Sequence, residues 1–242
     1  MKVVEKWHSD RLGTEINLVR WGTVGIPVLI FPTAGGDFEE IERFHMISAL
    51  EGLIERGRIK VYSVDSLNGR AFLSGADSRH TGWMMSAFDS AIRHEVVPAI
   101  RADCQSSSIE LISAGASIGA FNALEVLCRH PDVFSSSLCV SGTFDLAKWL
   151  RGHITSDFYF SSPLHYLPTL EDADLLDRLR QRFVLFCHGL GKAEDPGESW
   201  RMAAVLGDKG IPNRVDEWGP EWPHDWVSWR EMFPRYLDEL TS

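Results

Sequence analysis

Apolar and polar positions alternate along residues 2–7 and 15–21, with Asp10 and Gly13 between the two runs. That period of two predicts an antiparallel hairpin at a sheet edge. Residues 28–31 form an unbroken apolar run bounded by Pro27 and Pro32, as in a strand buried on both faces. From 39 to 56 the period changes, because Ile41, Phe44, Ile47, Leu50 and Ile54 recur at helical spacing up to Gly57, which predicts one amphipathic helix. Residues 60–64 read as the next strand, and the Gly-, Ser- and Asn-rich stretch 67–78 as a surface loop. Residues 83–100 predict a long helix with Met84, Phe88, Ile92 and Val96 inward, kinked or ended by Pro98. Further strands fall at 109–112, 137–140, 182–187 and 214–218, and further helices at 118–129, 200–209 and 226–240. Strands alternating with helices through short loops predict an α/β fold, a mainly parallel sheet with helices on both faces, in one domain over 1–242. Residues 141–170 break the pattern. Six aromatic residues are mixed there with Ser, Pro and His without a period, the texture of an irregular cap that shapes a pocket.

Between the strand ending near residue 112 and the helix that follows, the chain reads Gly115-Ala116-Ser117-Ile118-Gly119. Glycine is 20 of the 242 residues, so the bare G-x-S-x-G pattern arises by chance about 0.15 times in such a chain and is weak by itself. Its context is specific. A strand running into the first glycine and a helix starting at the serine make a nucleophile elbow, in which small neighbours let strand and helix nearly touch. The serine oxygen then stands at the sheet edge, and the Ile118 N–H, at the positive end of a new helix, points to where an oxyanion would form. After the strand at 28–31, the small-residue loop Thr33-Ala34-Gly35-Gly36-Asp37 offers a second such N–H, at Gly35.

Composition narrows the partners. The formal net charge of -10 with no offsetting basic cluster disfavours nucleic acid and anionic membrane surfaces. No apolar run approaches the ~20 residues of a membrane helix, and the first ten residues lack a signal-peptide core. Cys104, Cys128, Cys139 and Cys187 lie far apart with no C-x-x-C pair, which reads as reduced thiols in a cytoplasmic protein. The histidines show no metal-binding spacing and Gly35-Gly36 is not followed by the Lys of a phosphate loop. Neither a metal nor a cofactor is expected.

A serine hydroxyl needs a base within hydrogen-bond reach, and the base an orienting carboxylate. Beyond an elbow of this kind the acid and then the histidine follow in the chain. His224 lies in Pro-Glu-Trp-Pro-His-Asp-Trp, between the last strand and the last helix, where its ring can reach the sheet edge. The acid is expected in the loop after residue 187, where Glu194 and Asp195 are adjacent. Neighbouring side chains point in different directions, so one of the two meets the imidazole, and either can instead cap the helix that follows.

With these residues in place the chain resembles the esterase family of α/β-hydrolases that includes S-formylglutathione hydrolase (esterase D), the antigen 85 mycolyltransferases and the enterochelin esterases. The resemblance is carried by PVLIFPTAGGDF, GASIGAFNAL, SGTFD ahead of the aromatic segment, and HDWVSWREMFPRYL. It spans nearly the whole chain, and His224, Trp226 and Trp229 in H-x-W-x-x-W are its most telling part. It implies the α/β-hydrolase fold, an oxyanion loop at residues 34–36 with Gly35 as the best match, and an acid at Glu194 by position in the antigen 85 branch. Ala116 stands where many relatives carry His, Gln or Cys, and the best fit is a short esterase-like branch without an assigned substrate.

The expected function is that of a serine esterase acting on a small-molecule ester. Ser117 is the nucleophile, His224 the base, Glu194 or Asp195 the orienting acid, and Gly35 and Ile118 the oxyanion donors. Acyl transfer and thioester cleavage use the same parts, and a hydrolase-fold binding protein without turnover is the alternative of another class. Nothing in the chain argues against a homo-oligomer.

Overall fold

A computed structural model describes residues 1–242. The hairpin β1 (Lys2–Ser9) and β2 (Thr14–Trp21) lies at one edge of an eight-stranded sheet, and β3 (Ile26–Phe31), β4 (Ile59–Val64), β5 (Leu111–Ala116), β6 (Phe134–Val140), β7 (Phe183–His188) and β8 (Asn213–Glu217) complete it. The order is β1-β2-β4-β3-β5-β6-β7-β8. β1 and β2 pair antiparallel to each other, β2 pairs antiparallel to β4, and the remaining neighbours are parallel. Side chains alternate between two apolar layers. In β3, Val28 and Ile30 enter the layer with α2 (below) and the closing helix, whereas Leu29 and Phe31 enter the other. Both sets are excluded from solvent, as a parallel sheet covered on both faces requires.

The amphipathic stretch after β3 is not the single helix that its periodicity predicts. It divides into α1 (Glu40–Arg43) and α2 (Met46–Glu55), because His45 adopts a left-handed conformation with φ 61°. The loop expected at 67–78 is instead α3 (Leu67–Ser74), with Asn68, Gly69 and Ala71 buried. The Asn68 amide donates to Asn122 Oδ1 at 2.6 Å, and Gly69 packs on Ala34 so closely that a Cβ would lie 2.8 Å from its carbonyl oxygen. The long helix starts earlier than residue 83, as α4 (Ser78–Ala91), with the Asp77 side chain capping His80 N–H. It continues through a π-turn at Ile92–Val96 into α5 (Val97–Asp103), whose first turn contains Pro98. Proline has no N–H to donate to the preceding turn, and the wider turn accommodates that loss.

α6 (Ile118–Arg129) follows β5, and β6 begins at Phe134, three residues before the predicted start at 137. Within 141–170, α7 (Ser156–Ser161) and α8 (Pro163–Tyr166) lie between short 3-10 turns at Leu146–Trp149 and Leu167–Thr169. α9 (Ala173–Leu179), which the pattern did not predict, leads to β7. α10 (Pro196–Asp208) starts four residues before the expected 200, and α11 (Trp226–Leu240) has the predicted bounds. No helix is long and apolar enough to cross a membrane. All four cysteines are unpaired.

One topological fact locates the chemistry. The chain leaves β3 toward β4 on one side and leaves β5 toward β6 on the other, although β3 and β5 are neighbours. At such a reversal the connections diverge and open a crevice beyond the carboxyl ends of the two strands. The Gly35 loop follows β3 there and Ser117 follows β5.

Candidate active site

One residue separates β5 from α6, and that residue is Ser117, with φ 57° and ψ -123°. A non-glycine residue there is strained and has to be held by its surroundings. The neighbouring strand holds it, since Ser117 N–H donates to Val140 O at 3.0 Å and Ser117 O accepts from Thr143 N–H at 3.2 Å. The two glycines of the motif answer the closeness of the turn. A Cβ on Gly115 would overlap the Gly119 carbonyl, and one on Gly119 would overlap Phe31 O at the end of β3. Strand, elbow and oxyanion loop therefore touch through atoms of the backbone itself.

The loop after β7 turns back through Ala193 at φ 65° and is stitched to the loop after β8. Leu190 N–H donates to Gly219 O at 3.2 Å, Gly191 N–H to Trp222 O at 3.0 Å, and His224 N–H to Lys192 O at 3.0 Å. Side chains at Gly189 or Gly191 would collide with Trp222. This seam brings Glu194 Oε2 to 3.4 Å from His224 Nδ1, with the Glu194 side chain only 2% exposed and the His224 side chain 24%. Glu194 Oε1 accepts from Ser141 Oγ at 2.6 Å and from Gly189 N–H at 3.3 Å. The His224 ring stands edge-on to Trp229, 85° between planes and 5.2 Å between centroids. Trp226 stacks on Phe44 at 4.8 Å. The aromatic pair of H-x-W-x-x-W thus fixes how α11 enters the site.

Ser117, His224, Ser141, Gly142, Thr143, Ala193 and Asp195 line one cavity of about 290 Å³, together with Lys148, Trp149 and Glu198. Polar side chains outnumber apolar ones in its lining, with Trp149 the one large apolar surface. Three larger hollows lie elsewhere, one beside Arg129 and Tyr166, one along β8 beside Trp218 and one beside Pro98 and Gln105, and none contains Ser117 or His224.

Glu198, which the sequence reading did not single out, anchors the 143–149 wall. Its Oε2 accepts from the Phe144 and Asp145 N–H groups at 2.7 and 2.8 Å, and its Oε1 from Lys148 Nζ at 3.1 Å and Arg201 at 3.0 Å. Burial pushes its carboxyl up, but the Asp145 and Phe144 N–H groups and then Lys148 outweigh that and hold it below the usual carboxylate range. Its carboxylate also lies in the first turn of α10, where the helix dipole favours negative charge. Ser141, at φ 45° directly after β6, opens the SGTFD stretch, and nothing in the polarity pattern there marks it as a site residue.

Of the two adjacent carboxylates, the structure brings Glu194 and not Asp195 to the imidazole. Asp195 occupies the N-cap position of α10 without a side-chain capping bond, contrary to the expected capping role, and faces the cavity. Gly35 is exposed, and its N–H and that of Ile118 have no hydrogen-bond partner. The Gly35 loop is held from behind, where Thr33 N–H and Oγ1 each donate to the buried Glu40 at 2.7 Å and Ser66 N–H donates to Gly36 O at 3.3 Å. A hydroxyl on a strained turn, an imidazole backed by a buried carboxylate, and free N–H groups in the Gly35 loop and at the start of α6 form an arrangement suited to acyl chemistry.

The family model described as "Putative esterase" matches residues 42–240. Solved structures share the architecture. A ferulic acid esterase superimposes with a TM-score of 0.77 at 15% identity, covering 100% of this chain and 98% of its own. An S-formylglutathione hydrolase from Agrobacterium tumefaciens does so with 0.73 at 12%, covering 100% and 94%. MPT51 (FbpC1) from Mycobacterium tuberculosis does so with 0.71 at 15%, covering 98% of each chain. At these identities the likeness is one of fold. No curated protein is similar to this chain in sequence.

Proposed function

Because this chain belongs to the esterase family, we propose that it hydrolyses carboxylic esters through an acyl-enzyme formed on Ser117. In this reading Ser117 Oγ attacks the acyl carbon while its proton passes to His224 Nε2. The charge that develops on the carbonyl oxygen is met by the N–H groups of Gly35 and Ile118. His224 returns the proton to the departing alcohol, and water then repeats the sequence to release the acid and regenerate Ser117. Glu194 holds Nδ1–H, which keeps the lone pair on Nε2 available, and stabilises the imidazolium that forms.

The observation that carries the reading is the buried Glu194 at 3.4 Å from His224, whose imidazole lines the same cavity as Ser117. The limited volume of that cavity favours a compact acyl or alcohol portion over a long aliphatic chain. A panel of p-nitrophenyl esters and thioesters of increasing chain length, run with the wild type and Ser117→Ala, tests both points. Short aryl esters are expected to turn over best and the variant to lose that turnover. Near-equal rates for the two proteins would overturn the assignment.

A further inference from the structure

Behind the Glu194–His224 pair the hydrogen bonds continue in one direction. Trp229 Nε1–H donates to Ser141 Oγ at 3.0 Å, and Ser141 Oγ lies 2.6 Å from Glu194 Oε1. An indole N–H is a donor only, so the Ser141 oxygen is the acceptor in the first bond. Its own single proton then goes to Glu194, an acceptor when ionised. With Oε1 occupied by Ser141 and by Gly189 N–H, Oε2 is left to accept from His224 Nδ1. The chain of donors thus starts at an atom that cannot reverse its role.

We propose that Ser141 and Trp229 are positioning residues that hold Glu194 ionised and thereby fix His224 as the tautomer protonated on Nδ1. The proposal rests on the acyl-enzyme reading and adds a part to it. It also gives the H-x-W-x-x-W spacing a physical purpose. Trp229 lies five residues after His224, one helical turn into α11, so one short segment presents the imidazole to one side of Glu194 and, through Ser141, a donor to the other.

Three further observations support it. Ser141 is 3% exposed and Trp229 4%, so water does not compete for these bonds and their directions persist. Ser141 sits at φ 45°, a conformation that serine adopts only where the surroundings impose it. Its N–H is tied to Cys187 O at 2.7 Å, which aims the hydroxyl. The titratable groups that face Glu194 are His224 from the loop before α11 and Cys187 from β7. Burial, then the nearby Cys139, Asp216 and Glu194, push the Cys187 thiol well up, so it stays neutral where the enzyme would work. The exposed Asp195 follows in the chain.

The test is the pH profile of kcat/KM for a short p-nitrophenyl ester with Ser141→Ala, Trp229→Phe and the double variant. A carboxylate that loses a donor becomes more basic, and it retains the proton it shares with the imidazole to higher pH. Ser141→Ala is therefore expected to lower kcat by about 10- to 100-fold with little change in KM, and to move the acid limb up by about half a unit or more. Trp229→Phe is expected to move the limb in the same direction by less. In the double variant the loss should match that of Ser141→Ala within about threefold, because Trp229 acts through Ser141.

An unmoved acid limb in folded Ser141→Ala, or multiplicative losses in the double variant, would overturn the proposal. If Ser141→Ala does not fold by circular dichroism, the profile of Trp229→Phe alone decides. Fluorophosphonate labelling of the wild type separates the two levels of the account. Labelling at Ser117 with an unmoved limb defeats only the relay, whereas absence of labelling defeats the acyl-enzyme reading beneath it.

Discussion

Replacing Glu194 by Gln changes one atom in a side chain that is 2% exposed, and its effect follows from the partners. The Gln carbonyl oxygen can still accept from Ser141 and Gly189, which leaves the amide NH₂ facing His224 Nδ1. Nδ1 must then be the acceptor, and the imidazole proton moves to Nε2, the atom proposed to take the proton from Ser117. The same change removes the negative charge opposite the imidazolium. At the observed 3.4 Å that attraction is about 5 kcal/mol with an effective dielectric constant of about 20. At 1.36 kcal/mol per decade this is up to roughly 3.5 orders of magnitude in rate, and partial solvation of the ring reduces it. We therefore expect Glu194→Gln to lower kcat for p-nitrophenyl acetate by about 10² to 10⁴ with a melting temperature close to wild type. Asp195→Asn serves as the paired control. Asp195 is exposed and makes no capping bond, so a change below about threefold is expected. If Glu194→Gln stayed within tenfold of wild type, or if Asp195→Asn were the more damaging, the orienting role of Glu194 would be refuted.

Three other expectations rest on different contacts. Gly189→Ala would force a methyl group onto the Trp222 carbonyl and part the loops that carry Glu194 and His224. Displacements near 1 Å at a reacting geometry cost up to about a hundredfold, so kcat should fall at least tenfold in a steady-state assay although no reacting group is altered. Glu198→Ala removes the acceptor of four hydrogen bonds to the 143–149 wall and Arg201. It should destabilise by about 1–3 kcal/mol in urea melts and raise KM more than it lowers kcat. Because the folded-state Glu198 carboxyl is held below its ordinary 4.5, its stabilisation is present above that value and is lost as pH falls further, so the stability gap between wild type and variant should narrow on acidification. Finally, neutral His224 is the proposed base, so kcat/KM should fall as the imidazole is protonated, and His224→Ala should remove that limb with most of the rate; a flat profile from about pH 5 to 8 would contradict this.

Much of this is legible in the sequence, where one physical signal dominates. Strands buried on both faces read as unbroken apolar runs, and α11 reads from its amphipathic period. The elbow reads from glycines whose Cβ atoms would strike backbone. The misses occur where tertiary contacts override local propensity. The 67–74 segment has the Gly, Ser and Asn of a loop, yet a buried Asn68–Asn122 pair makes it a helix. The break at His45 carries no glycine to announce it. The choice between Glu194 and Asp195 turns on one turn at Ala193, which no pattern of polarity encodes. Ser141 and Glu198 are single polar residues whose partners lie about 50 positions away, so their roles emerge only when the strands are assembled.

The central claim is a covalent acyl intermediate on Ser117, and the most direct measurement is intact-mass and peptide-level detection of adducts with a fluorophosphonate probe. The account predicts one adduct per chain on the peptide containing Ser117, loss of esterase activity in proportion to labelling, and no adduct in Ser117→Ala. An adduct on another residue, or a Ser117→Ala variant that hydrolyses aryl esters at the wild-type rate, would contradict it.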